Sequence, residues 1–145
     1  MKTIKLITFL LSFVAFAHDG GHGPSISDES MQGGKVAAVI NYKEVNEGTH
    51  AKMLLKGELV VEGLTVKLYL YDKKMNEISL NKYPKTIEAI QIERGKEANF
   101  QLNLSESKKF YIGKRTKNKR VPYNIDVKIK KADITYFAAF DGLDK

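Results

Sequence analysis

Between residues 64 and 71 the sequence alternates strictly, Leu64, Val66, Leu68 and Leu70 against Thr65, Lys67, Tyr69 and Tyr71. A period of two puts the first set on one face of an extended strand and the second on the other, whereas a helix would scatter both sets around its axis. The alternation returns at Phe100, Leu102 and Leu104, and again at Val121, Tyr123, Ile125, Val127 and Ile129. In the last run Pro122 stands early enough to mark a strand start or an edge. Shorter runs at 36–42, 52–62, 86–93, 109–112 and 134–140 are apolar or rich in β-branched residues, with Gly57 predicting a bulge or a break in the second. Turn formers separate them: Asn46 to Gly48, Glu62 with Gly63, residues 72–76 (with Ile78 and Leu80 on the returning edge), and Arg94 with Gly95. Roughly eight or nine short strands with turns between them predict an all-β fold. The expected architecture is an antiparallel β-sandwich, Ig-like or barrel-like, in which the Leu64, Phe100 and Val121 sets bury one another.

The β pattern begins only at Lys35. Before it come two segments of different character. Lys2 and Lys5 precede an apolar run over 6–17 interrupted by Thr8 and Ser12, and Ala15 and Ala17 supply the small residues a signal peptidase accepts. The run is too short to cross a bilayer, which takes about 20 residues. Residues 1–17 are therefore read as a cleaved signal peptide and the product as periplasmic or secreted. Residues 18–34 are rich in glycine and serine, with Ile26 and Met31 the sizeable apolar side chains, so they are expected to form a flexible tail. Residues 35–145 form the β domain. The chain has no cysteine, so neither disulfides nor a lipid-modified cysteine can contribute. Loss of the two leader lysines takes the net charge from +7 to +5, a balance that favours anionic partners such as lipid head groups or polysaccharide. Nucleic acid is not an expected partner of an exported chain without aromatics interleaved in its basic stretches.

Cleavage after Ala17 would make His18 the first residue of the mature protein. A terminal histidine offers one metal its amino group and its imidazole together, a donor set suited to copper, while imidazole also takes zinc. Imidazole is largely neutral at pH 7 and available for ligation. His22 lies beyond Gly20 and Gly21, which let the chain fold back on the same ion, and Asp19 adds a carboxylate oxygen. His50, in the loop after Gly48 and Thr49, is a weaker candidate that joins only if the tail packs over that loop. Lys114, Arg115, Lys117, Lys119 and Arg120 make the stretch 113–120 a second, weaker candidate, for anion contact. No Ser/His/Asp order, phosphate loop or buried titratable constellation is legible, so the chain is not expected to be an enzyme.

Four features together resemble the small periplasmic proteins associated with heavy-metal efflux systems: the His18/His22 tail, Gly33–Gly34–Lys35–Val36 at the domain entry, the string VKLYLYD at 66–72, and PYNIDVKI at 122–129. The likeness spans residue 18 to about residue 130. Gln32 stands where those proteins carry a histidine before the two glycines. The resemblance implies a β-sandwich accessory protein that buffers or delivers copper or zinc, with a metal efflux or envelope protein as partner. The alternative reading is a structural or adhesive envelope module that binds an anionic envelope polymer or another protein through its strand faces or the 113–120 loop, without metal.

Overall fold

The computed structural model describes residues 24, 26 and 29–144. Strands β1 (Lys35–Asn41), β2 (Met53–Glu62), β3 (Thr65–Tyr71), β4 (Thr86–Glu93), β5 (Lys96–Leu104), β6 (Tyr111–Lys114), β7 (Tyr123–Lys131) and β8 (Ile134–Leu143) pair only antiparallel. They close on themselves in the order β1-β2-β3-β6-β5-β4-β7-β8. Of the expected shapes the barrel is the one adopted, and closure leaves no free sheet edge to template association.

Three tight hairpins set the register. Gly63 (φ 61°) turns β2 into β3, Arg94 and Gly95 (φ 48° and 77°) turn β4 into β5, and Ala132 (φ 50°) turns β7 into β8. Left-handed backbone at these points matches the right-handed twist of the flanking strands. Two longer connections cross the ends. Residues 72–85 carry the chain from β3 to β4 over one end, and residues 115–122 carry it from β6 to β7 over the other. The first of these buries Leu80 in the core, with Ile78 and Tyr83 packed beside it. Ile78 and Leu80 therefore plug the barrel, and only the Tyr71–Glu77 bridge remains of the expected returning edge.

The core is the barrel interior. Leu59, Val66, Leu68, Leu102, Tyr111, Ile125, Val127 and Phe140 are among its fully enclosed side chains. Val66, Leu68, Leu102, Ile125 and Val127 belong to the three alternating sets, so in those strands the period-two pattern does specify which face turns inward. β2 runs unbroken through Gly57. A side-chain Cβ there would stand 3.2 Å from the Phe140 ring, so the glycine makes room for that ring across the interior. The irregularity in that run lies earlier, at Leu54, which is the extra residue of β2 opposite the Val39–Ile40 step of β1, and a second register shift falls between β7 and β8 at Tyr123–Ile125. Leu64, expected in the core with Val66, Leu68 and Leu70, is 46% exposed, because the chain is already turning there and β3 starts one residue later.

A second, smaller apolar cluster lies outside the wall. Ala38, Ile40, Ala51 and Phe137 are buried together, with Val45, Met53, Ala139 and Ile26 against them. The cover is the 3-10 segment Tyr42–His50, started by the Asn41 side chain accepting from Lys43 N–H and broken at Gly48 (φ 54°). β1 is thus apolar on both faces, which is why residues 36–40 read as a continuous run and not as an alternation.

Candidate functional site

The end crossed by residues 115–122 also holds the β2–β3 turn, the β4–β5 turn, the start of β1 and the end of β8. Arg115 organises it. The side chain is 6% exposed, and its Nε donates to Gly63 O at 3.1 Å while one terminal nitrogen donates to Thr116 O at 3.0 Å and Asn118 Oδ1 at 2.8 Å. Its backbone N–H donates to Leu64 O at 2.9 Å, and the guanidinium lies over the Tyr123 ring, 4.8 Å from the centroid. One buried cation therefore ties the β2–β3 turn, the long connection and the start of β7 into a unit. A planar five-donor fork suits such a junction better than an ammonium would.

A second tie joins the β4–β5 turn. Lys119 N–H donates to Glu93 Oε2 at 3.0 Å, and Gln91 Nε2 donates to Glu93 Oε1 at 2.7 Å. The Lys119 amide, ahead of the other contacts, holds the Glu93 carboxyl below the usual range. Gln91 is enclosed, and its Oε1 has no hydrogen-bond partner. Burial pushes the Tyr123 hydroxyl up, against the opposing pull of Arg115.

These ties bring together charges that are far apart in sequence. Arg94 and Lys96 from the β4–β5 turn, Lys114 at the end of β6, and Lys117, Lys119 and Arg120 from the connection are all exposed at the same end. Two acidic groups nearby are engaged, Glu93 as described and Glu62, whose Oε2 lies 3.3 Å from Lys67 Nζ, while Glu97 and Asp144 are exposed at the same end. Of the residues expected to contact anions, Lys114, Lys117, Lys119 and Arg120 face solvent together, while Arg115 is structural. Arg94 and Lys96 were not expected, since their neighbourhood depends on strand order and on the Lys119–Glu93 contact.

Beside this end the root of the tail is anchored on Glu58. The carboxylate is 0% exposed on the outer side of β2, and it accepts from Met31 N–H at 2.9 Å, Gln32 N–H at 2.8 Å, Gly34 N–H at 2.8 Å and Tyr71 O–H at 3.2 Å. Three convergent backbone amides form an anion nest that an internal side chain already fills. Desolvation, partly offset by Gln32 and reinforced by Glu58, raises Tyr71 to about 12. The sequence does carry a signal for this group, an acid inside the apolar run 53–61, but nothing in it names the partners. Gly34 crosses β2 so closely that a Cβ there would meet the Leu59 carbonyl and lie 2.8 Å from Val60 Cγ2. A cleft of about 420 Å³ opens between this root, Leu59 to Glu62, Tyr123 and residues 142–144.

His18, Asp19 and His22 lie outside the described residues. His50 is exposed where the 3-10 segment ends, at the barrel end opposite the basic one. Among the described residues no three histidines or carboxylates converge in a way that could hold a metal ion. Ile26 packs against the outer cluster of Ala38, Ile40, Ala51 and Phe137, to which the sequence neighbour of His50 belongs. No helix among the described residues is long and apolar enough to cross a membrane.

No family model matches the chain, and no curated protein or solved structure is similar to it at a significant level.

Proposed function

We propose that the chain is an exported, non-enzymatic binding module whose barrel presents a fixed basic end to an anionic envelope partner. The observation that carries this reading is the convergence of Arg94, Lys96, Lys114, Lys117, Lys119 and Arg120, with Arg115 and Glu93 spent on holding the two segments together. Like charges held side by side repel, so a structure that gathers them is stabilised when an anionic surface approaches. The test is retention on a sulfated dextran resin. The protein is expected to bind at low ionic strength and to elute by about 0.5 M salt, where screening is short-ranged. Reversing charge at Lys117, Lys119 and Arg120 should abolish retention. Retention unchanged by that triple reversal refutes the reading.

A second reading is favoured by one contact. Ile26 packs against the outer cluster of Ala38, Ile40, Ala51 and Phe137, which brings the tail to the side of the barrel covered by the segment that ends at His50. On this reading His18 and His22, with Asp19 assisting, bind copper or zinc, His50 completes the donor set, and the protein buffers or delivers the ion to an efflux partner. Isothermal titration of copper(II) and zinc into protein with a mass-verified His18 terminus tests it. An added N-terminal residue should weaken binding sharply and His50→Ala more mildly. Affinity indifferent to both changes counts against it.

A further inference from the structure

We infer that the basic end docks on an anionic bilayer surface, with Leu64 and Val121 entering the interfacial layer among the head groups. The inference rests on the reading of that end as an anion-binding surface and names its partner. Leu64 is 46% exposed and Val121 56% exposed, and both stand among the basic side chains. Leu64 follows Gly63 in the β2–β3 turn, and Lys114 pairs with Thr65 directly beside it. Val121 follows Arg120 near the end of the 115–122 connection, two residues before β7. Arg115 holds the two apolar tips in fixed relation, bonding to Gly63 O and Leu64 O while lying over Tyr123.

A hydrated anionic polymer would use the charges and gain nothing from aliphatic side chains held in water. A bilayer interface takes up both, since basic groups meet acidic head groups while short apolar side chains enter the boundary with the acyl region. Each basic residue brought to such a surface strengthens binding about fivefold. Because both tips sit on tied turns, docking requires little new ordering of the backbone. Of the acids at this end, Glu93 is bonded to the connection and Glu62 is set against Lys67, while Glu97 and Asp144 are exposed and are outnumbered by the six exposed cations.

The experiment is co-sedimentation of the full chain with vesicles of equal parts phosphatidylglycerol and phosphatidylcholine, and with pure phosphatidylcholine, each beside binding to soluble sulfated dextran. The expected result is partition onto the anionic vesicles at least tenfold above the neutral ones, lost at high salt. The double variant Leu64→Ser/Val121→Ser, changed only at exposed positions, should lose at least fivefold of vesicle binding and keep its dextran binding. Charge reversal at Lys117, Lys119 and Arg120 should lose both. Vesicle binding unaffected by the serine pair but abolished by charge reversal overturns the bilayer inference and leaves the basic-end reading standing, as does dextran binding with no vesicle binding. Indifference of both ligands to charge reversal overturns the two readings together. Near-ultraviolet circular dichroism of each variant confirms that the barrel is intact before partition is compared.

Discussion

Replacing Glu58 should release the root of the tail while leaving most of the barrel in place, and the sizes of three substitutions can be ranked from its contacts. The carboxylate accepts three backbone amides at 2.8–2.9 Å and one phenol at 3.2 Å, with no exposure to water. A hydrogen bond to a charged group contributes about 1.5–3 kcal/mol, and a buried donor left unpaired costs about 1–3 kcal/mol. In Glu58→Ala all four donors lose their acceptor. Met31 and Gln32 are exposed, however, so their amides can recover water if the strap lifts, and the net cost should be about 3–4 kcal/mol rather than the sum of four bonds. In Glu58→Gln one oxygen still serves Gln32 and Gly34, while an amide NH2 faces the Met31 N–H donor to donor, for about 2 kcal/mol. Tyr71→Phe removes one long bond from a carboxylate that keeps three others, for about 1 kcal/mol. Urea denaturation gives the ranking, and amide hydrogen exchange locates it. Gln32 and Gly34 should be protected in the parent protein and unprotected in Glu58→Ala, with protection across β4 and β7 retained. An alanine variant within 0.5 kcal/mol of the parent, or unprotected Gln32 and Gly34 amides in the parent, refutes the reasoning.

Three further outcomes follow from the same geometry. Gly113→Ala would drive a Cβ into the Gln101 carbonyl and to 2.9 Å from Leu102 Cδ2, so it should cost about 2–4 kcal/mol in a thermal or urea melt. Burial raises the tyrosines at 71 and 111 to about 12, so each neutral phenol adds stability that is fully present below the unfolded pKa near 10 and lost as pH rises through 12. Absorbance at 295 nm should show at least two of the seven tyrosines ionising only as the melting temperature collapses in that window. Arg115→Lys should lower stability by about 2–3 kcal/mol through its lost fork of contacts, yet leave retention on sulfated dextran nearly unchanged, since that side chain does not face solvent.

What could be read from the residues and what could not divides along a physical line. Alternation reports on a single strand, because each side chain's face depends only on its own neighbours along the chain. Hence Val66, Leu68 and Leu70, and the Ile125–Val127–Ile129 set, fall inside as expected. Strand order is a relation between strands, and nothing local encodes it, so the β3–β6 and β4–β7 pairings that close the barrel were not legible. The same limit decided the site. The cations at 113–120 were visible as a run, but their neighbours Arg94 and Lys96 become so only through β4–β5 pairing and the Lys119–Glu93 bond. Composition likewise could not separate Arg115 from its flanking lysines, though one is a buried strut and the others are solvated.

Glu58 and Arg115 show how a small barrel without disulfides fixes its irregular segments. Each is a charge buried where backbone must cross backbone: Gly34 over β2, and the 115–122 connection over the β2–β3 turn. An isolated buried charge is expensive, but each here meets oriented partners, amide N–H groups in one case and carbonyl oxygens with an aromatic face in the other. The arrangement suits these two segments, which bring little apolar cover of their own, unlike the 72–85 connection with its buried Leu80. It also separates scaffold from surface. Because the two buried ions make the contacts that hold the basic end and the tail root in shape, the side chains of Lys114, Lys117, Lys119, Arg120, Leu64 and Val121 take no part in those ties, and substitutions among them should change what the protein binds without changing whether it folds.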